Sequence, residues 1–155
     1  MRDDVAYVYV RDLIERLTGV KSEPDEDGDL PVRWENAGFY VRVQGRNNSW
    51  IQVFSVAVTD LQSSAELMFK INDINAELRF ARAFMFGNQV LIETEIWADD
   101  LNPTNFSHAC RNVAQATDAY SMVLLEMFGG TSHFNDTKSE DYETPKALFG
   151  FGPRA

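Results

Sequence analysis

The chain has 155 residues, 45% of them hydrophobic, with 14 basic against 24 acidic side chains and a formal charge of -10. That length suits one domain with a real core, at about 100 to 200 residues per domain, and the negative charge opposes both the phosphates of a nucleic acid and an anionic membrane surface. A lone cysteine, Cys110, has no partner for an internal disulfide, no run approaches the ~18 apolar residues of a membrane-crossing helix, and Met1-Arg2-Asp3-Asp4 lacks the order of a signal peptide, so a cytoplasmic protein is expected.

Asp3 or Asp4 is placed to cap a first helix that carries Ala6, Val10, Leu13, Ile14 and Leu17 on one side and stops at Gly19. Residues 5–10 are rich enough in β-branched and aromatic side chains for a strand, but the Arg and Glu interleaved among Leu13, Ile14 and Leu17 favour a helix. Residues 21–31 then read as a solvated acidic loop. Alternating Asp25, Asp27 and Asp29 hint at calcium. An EF-hand loop starting there would need glycine and glutamate where Leu30 and Asn36 stand, so no metal site is expected.

Short strands over 32–35, 39–44 and 50–58, separated by turn residues, predict an antiparallel meander. The third is apolar on both faces and reads as a central strand. Thr59-Asp60-Leu61-Gln62 has the form of a capping box and predicts that a second helix opens there. At ~100° per residue, Leu61, Ala65 and Met68 form one line and Leu67, Ile71, Ile74 and Leu78 another. This arc is wider than a helix lying on one sheet can bury. Leu61, Ala65, Met68, Ile71 and Ile74 are therefore candidates for contact with a second copy of the chain.

Runs over 80–86 and 89–97 flank Gly87-Asn88, a pair suited to the positive backbone angles of a two-residue hairpin turn. Alternation puts Phe80, Phe84 and Phe86 on one side of the first strand and Val90, Ile92 and Ile96 on one side of the second. Glu93, Glu95 and Trp97 point the other way, toward a face expected to be partly wet. Asn102-Pro103 opens a last helix, which runs to Gly129-Gly130 with Phe106, Cys110, Val113, Thr117, Tyr120, Leu124 and Phe128 along its apolar side. One domain is thus expected over 1–130. Residues 131–155 lack periodicity and read as a mobile tail, whose apolar tip around Phe149 and Phe151 either docks or stays unstructured.

No catalytic set emerges. His108 and Cys110, two apart on a helix, point about 200° away from each other, which prevents a thiolate–imidazole pair. Cys110 reads as a small buried hydrophobe and His108 as a solvated side chain. Glu93 and Glu95, about 7 Å apart along one strand face, support an alternative reading: a small-molecule-binding or enzymatic domain using both carboxylates in a cavity between sheet and helices. No glycine run offers a phosphate cradle, and no cofactor is expected. What remains is surface apolarity, with Trp34, Tyr40, Trp50, Trp97, Phe149 and Phe151 as candidates for binding a partner.

The order helix, three strands, helix, two strands, helix, in short α-β-β-β-α-β-β-α, resembles the type III secretion chaperone-like fold and most closely its YbjN-type domains. The resemblance is carried by Ile71-Asn72-Asp73-Ile74-Asn75-Ala76-Glu77-Leu78-Arg79-Phe80 running into a hairpin, by Leu101-Asn102-Pro103, and by the close at Leu124-Leu125-Glu126-Met127-Phe128-Gly129-Gly130. It covers roughly residues 3–130 in element order. It implies an acidic α+β protein without enzymatic activity that acts as a chaperone-like module or regulator. Such a protein is a homodimer built on its middle helix and binds another protein or peptide segment on apolar patches.

Overall fold

The computed structural model describes residues 1–133. Along them run α1 (Asp3–Thr18), β1 (Leu30–Trp34), β2 (Ala37–Gln44), β3 (Trp50–Val58), α2 (Ala65–Glu77), β4 (Arg82–Phe86), β5 (Gln89–Trp97), a 3-10 turn (Ala98–Asp100) and α3 (Pro103–Phe128). This is the expected α+β order. The strands form one antiparallel sheet in the order β1-β2-β3-β5-β4, which makes β3 central, as its two apolar faces predict.

All three helices lie on one face of the sheet. Ala6, Val10, Leu13 and Ile14 of α1 and Phe106, Cys110 and Val113 of α3 pack with Val41, Val43, Ile51 and Val53. Beside them Leu67, Ile71 and Ile74 of α2 pack with Ala83, Val90, Ile92 and Leu124. Each Val, Leu, Ile or Phe side chain among them, fully buried, contributes about 1.5–3 kcal/mol. On the opposite face Tyr40, Phe54, Val56 and Leu91 form a third cluster, with Phe84 and Phe86 packed against it. No helix among the described residues is long and apolar enough to cross a membrane.

Several local expectations need correction. The N-cap of α1 is Arg2, without a side-chain cap, while Asp3 and Asp4 occupy the first turn, where the positive end of the helix dipole favours them. Gly19, at φ 76°, ends that helix as expected. The second helix does not open at Thr59. Thr59 exchanges both of its backbone hydrogen bonds with Thr131, at 2.9 Å each, and the Leu61 N–H donates to the Asn88 C=O. The Thr59 C=O, which a helix opening there would use as its first acceptor, is taken by the Thr131 N–H, and Asp60 stands at φ 56°, outside the right-handed helical region. Ser64 is the real cap, accepting from the Leu67 N–H at 3.1 Å.

The acidic loop is not fully solvated either. Asp29 is completely buried, and the Arg42 guanidinium holds its carboxylate in a two-pronged pair whose Nε–Oδ1 arm is 2.6 Å. Asp25 Oδ1 accepts from the Asp27 and Asp29 amides, which tightens the turn. Burial, first of all, pushes the Asp25 carboxyl up, and the Asp29 and Asp27 charges add to it against the amide bonds. Carboxylate oxygens of Asp25, Asp27 and Asp29 do lie within 4.8 Å of one another, but the cation beside Asp29 is Arg42.

After α3 the chain doubles back through Gly129 and Gly130 and sets His133 Nε2 3.2 Å from the Tyr40 hydroxyl. The remainder of the expected tail, 134–155, including Phe149 and Phe151, lies outside the described residues.

Candidate functional site

A sheet edge presents a row of backbone N–H and C=O groups that will pair with any extended chain unless something blocks them. Two edges here are blocked. In β1, Pro31 has no N–H and its C=O accepts from the Ser22 hydroxyl at 2.6 Å. In β4, Asn75 of α2 imitates a strand, donating from Nδ2 to the Ala83 C=O and accepting from the Ala83 N–H, both at 2.8 Å.

A third stretch is open. β4 pairs with β5 only as far as Arg82 opposite Glu93, whereas β5 runs on to Trp97. The Ala98 N–H donates to the Ser49 C=O, toward the β3 side. Because an antiparallel ladder alternates, Ile96 and Thr94 also face β3, and the N–H and C=O of Glu95 and the N–H of Trp97 face outward. Among the described residues no strand pairs with them.

Phe80 explains why β4 stops short. Instead of joining the strand with its ring in the core, it sits at φ 60°, a backbone region that costs a bulky residue about 1–2 kcal/mol, and its ring is 80% exposed. The chain therefore reaches the sheet only at Arg82. The open edge forms one wall of a groove of about 920 Å³, with Phe80, Ile96 and Trp97 on one side and Asn105, His108 and Asn112 of α3 on the other. Trp97 is 54% exposed and packs edge-on against Trp50, ring centroids 6.3 Å apart.

The groove is acidic. Glu95, Asp99 and Asp100 line it, and Asp99 is paired at 2.6 Å with the Met1 amino group. Partial burial, and then the Glu93 charge, push the Glu95 carboxyl up, with Arg82 pulling the other way. Outward-facing amides, exposed aromatic rings and negative charge together suit an extended chain with apolar and basic side chains.

The expected site residues scatter. Trp97 lines the groove, and Trp50 packs against Trp97 without lining it. Tyr40 is fully buried in the sheet cluster away from the helices, and Trp34 is half-buried near α1 under the Arg111 guanidinium, 5.6 Å from its ring. Of the five residues expected at a contact between copies, Leu61, Ile71 and Ile74 are already buried inside this one chain. Ala65 and Met68 remain on the surface, joined by Phe69, which is 73% exposed.

Glu93 and Glu95 do not share a cavity between sheet and helices, since Glu95 lines the groove at the open edge and Glu93 does not. They point to the other face, where Glu93 is buried with both oxygens occupied, Oε1 by Arg82 and Oε2 by Gln52. Cys110 is buried, and desolvation pushes its thiol far up, out of nucleophilic range. Sequence reasoning missed Phe80, Ile96 and His108 as groove residues. The signal available was the unequal length of the two hairpin strands, which leaves the end of β5 overhanging.

The fold matches solved structures at low identity. The chain resembles the ExsC–ExsE complex structure with a TM-score of 0.59 at 13% identity, covering 76% of this chain and 95% of that one. It resembles the Yersinia pestis type III secretion chaperone SycH, crystallised with a stable fragment of YscM2, with a TM-score of 0.54 at 14% identity over 73% and 98% of the two chains. YbjN from E. coli gives 0.54 at 12% identity over 81% and 96%. No curated protein sequence matches. The family model described as T3SS (YopN, CesT) and YbjN peptide-binding chaperone 1 matches residues 4–136, and the chain belongs to that family.

Proposed function

We propose that this protein is a non-catalytic, chaperone-like module or regulatory adaptor that takes up an extended segment of another polypeptide along the free edge of β5. The observation that carries this reading is the pair of outward-facing residues, Glu95 and Trp97, beside an aromatic groove, while Pro31 and Asn75 block the other two edges. The bound segment adds a strand to the sheet. Its backbone supplies affinity, and alternate side chains meet Phe80 and Trp97 on one side and the polar flank of α3 on the other. The burial of Cys110 and the pairing of Glu93 support a role without catalysis.

The protein works as a homodimer through the outer side of α2, where Ala65, Met68 and Phe69 share a stripe that its own sheet leaves exposed. Sedimentation of Met68→Asp and Phe69→Asp chains tests this. Both should be folded monomers, and a parent chain that is itself monomeric at micromolar concentration would end the dimer reading.

The peptide reading is tested by panning a peptide-phage library on the full chain and mapping the hits by amide NMR shifts. Shifts should centre on Glu95, Trp97 and His108. Glu95→Pro, which removes an outward N–H, should leave the fold intact and cut affinity tenfold or more below that of Glu95→Gln, which removes the charge and keeps the N–H. Hits that shift α2 and leave β5 unchanged would overturn the assignment.

A further inference from the structure

Beyond the end of β4, only two outward-bonding positions remain on β5. Arg82 already occupies the place opposite Glu93, and β5 ends at Trp97, which leaves Glu95 and Trp97 to exchange hydrogen bonds with an added strand. Two residues apart on one strand, they project their side chains to the same face. A segment laid along this edge must set two of its own side chains on that face, one opposite Glu95 and one opposite Trp97, with Cβ atoms about 4.5–5.5 Å away.

Each position has its own chemistry. Glu95 takes part in no ion pair among the described residues, because Arg82, the cation across the hairpin, is bound by Glu93. Partial burial and the Glu93 charge push the Glu95 carboxyl up, as befits a carboxylate short of a counter-charge. Asp99 and Asp100 continue the acidic lining past the end of the strand, and the one cation paired with them among the described residues is the Met1 amino group. A basic side chain thus fits opposite Glu95. Trp97 keeps 54% of its surface exposed even while it packs edge-on against Trp50, and an aromatic or β-branched side chain opposite would cover it.

Direction follows from the sheet. Every strand pair in it is antiparallel, and antiparallel ladders are slightly stronger per residue than parallel ones. An added strand that runs against β5 places the residue opposite Trp97 two positions before the one opposite Glu95. Resting on the reading of β5 as a binding edge, we infer that the segment it takes up carries an aromatic or large aliphatic side chain, then one residue, then arginine or lysine, with the basic side chain paired to Glu95 and the apolar one over Trp97. The intervening residue turns to the helix side, where Asn105, His108 and Asn112 offer partners to an amide or hydroxyl. Glu95 is the residue that sets this preference.

Calorimetry on the full chain, with acetylated and amidated peptides of about six residues built on serine and threonine, reads the preference directly. A peptide carrying Trp-x-Arg should bind about fivefold tighter than one carrying Trp-x-Gln, by a margin that shrinks with added salt, and tighter than the reversed Arg-x-Trp. In Glu95→Gln the arginine and glutamine peptides should bind alike, and in Glu95→Arg, which keeps the outward N–H, Trp-x-Glu should outbind Trp-x-Arg. Hydrogen exchange at the Glu95 and Trp97 amides of the parent chain separates the two levels of the assignment. If all peptides protect these amides with equal affinity, the edge takes extended chain without regard to charge, which would overturn the Glu95 preference and leave the edge reading standing. Protection by none of them would remove both. Tighter binding of the reversed peptide would overturn the proposed pattern, and so would protection in the peptide-free chain that grows with protein concentration, which would make a second copy the occupant.

Discussion

Replacing Arg82 by methionine tests whether Glu93 is a structural or a chemical group. The Glu93 side chain is 1% exposed, with Arg82 on Oε1 and Gln52 on Oε2. Gln52 is itself bonded to Gln44 at 3.3 Å, so the carboxylate ends a short polar chain crossing three strands. Removing one partner of a buried ion pair costs about 3–5 kcal/mol because the other charge is stranded. The Arg82 side chain is 66% exposed, so water reaches the carboxylate once it is gone, and about 2–3 kcal/mol is expected. That corresponds to a melting temperature lower by roughly 4–10 °C. Glu93→Gln should cost only about 1 kcal/mol, since an amide still accepts from Arg82 and the Gln52 amide can turn to suit it. The double variant should cost less than the sum, because the amide no longer needs a cation. Urea unfolding of the four chains measures all of this. An Arg82→Met chain within about 0.5 kcal/mol of the parent would mean that Glu93 is solvated and the network is not structural.

Other outcomes follow from single positions. Gly130→Ala should destabilise by about 2–4 kcal/mol in denaturant melts, because its Cβ meets backbone and two side chains, whereas Gly19→Ala, strained in φ but with open space around it, should cost only about 1 kcal/mol. Asn75→Ala, which strips both hydrogen bonds from Ala83, should cost about 1–3 kcal/mol and raise aggregation by freeing the β4 edge, read by light scattering; an unchanged chain would show that Asn75 does not guard it. Burial holds the His133 imidazole below its ordinary 6.5. The stability contributed by its packing on Tyr40 is therefore complete above that pH and is lost as pH falls through the lowered value. An NMR titration should place the His133 midpoint below 6.5, and a midpoint at or above it would contradict the buried contact.

What could be read from the sequence was whatever local periodicity and capping decide. Asn102-Pro103 caps α3 as expected, with Asn102 accepting from the Asn105 N–H at 2.9 Å, and the strand at 50–58 has its expected bounds because alternation and flanking turns agree. The start of α2 was misplaced because the Thr59 C=O is taken by the N–H of Thr131, a partner distant in sequence, and Asp60 turns to a positive φ. Phe80 looked like a core strand residue, and only the positive φ that swings it out reveals otherwise. Glu93 and Asp29 looked wet, since alternation assigns a residue to a face but does not record what lies over that face. The candidate site suffered most. An open edge is a property of which strand ends first, and the runs over 80–86 and 89–97 carried only part of that overhang, because Phe80 leaves the strand it was assigned to.

The central claim, an open β5 edge that accepts an extended chain, is tested most directly by hydrogen exchange at four successive amides. In the free protein Thr94 and Ile96, bonded toward β3, should exchange slowly, and Glu95 and Trp97 rapidly. With a library-selected peptide bound, Glu95 and Trp97 should become as slow as their neighbours. Protection of Glu95 and Trp97 in the free chain, or their continued rapid exchange in the saturated complex, would contradict the account.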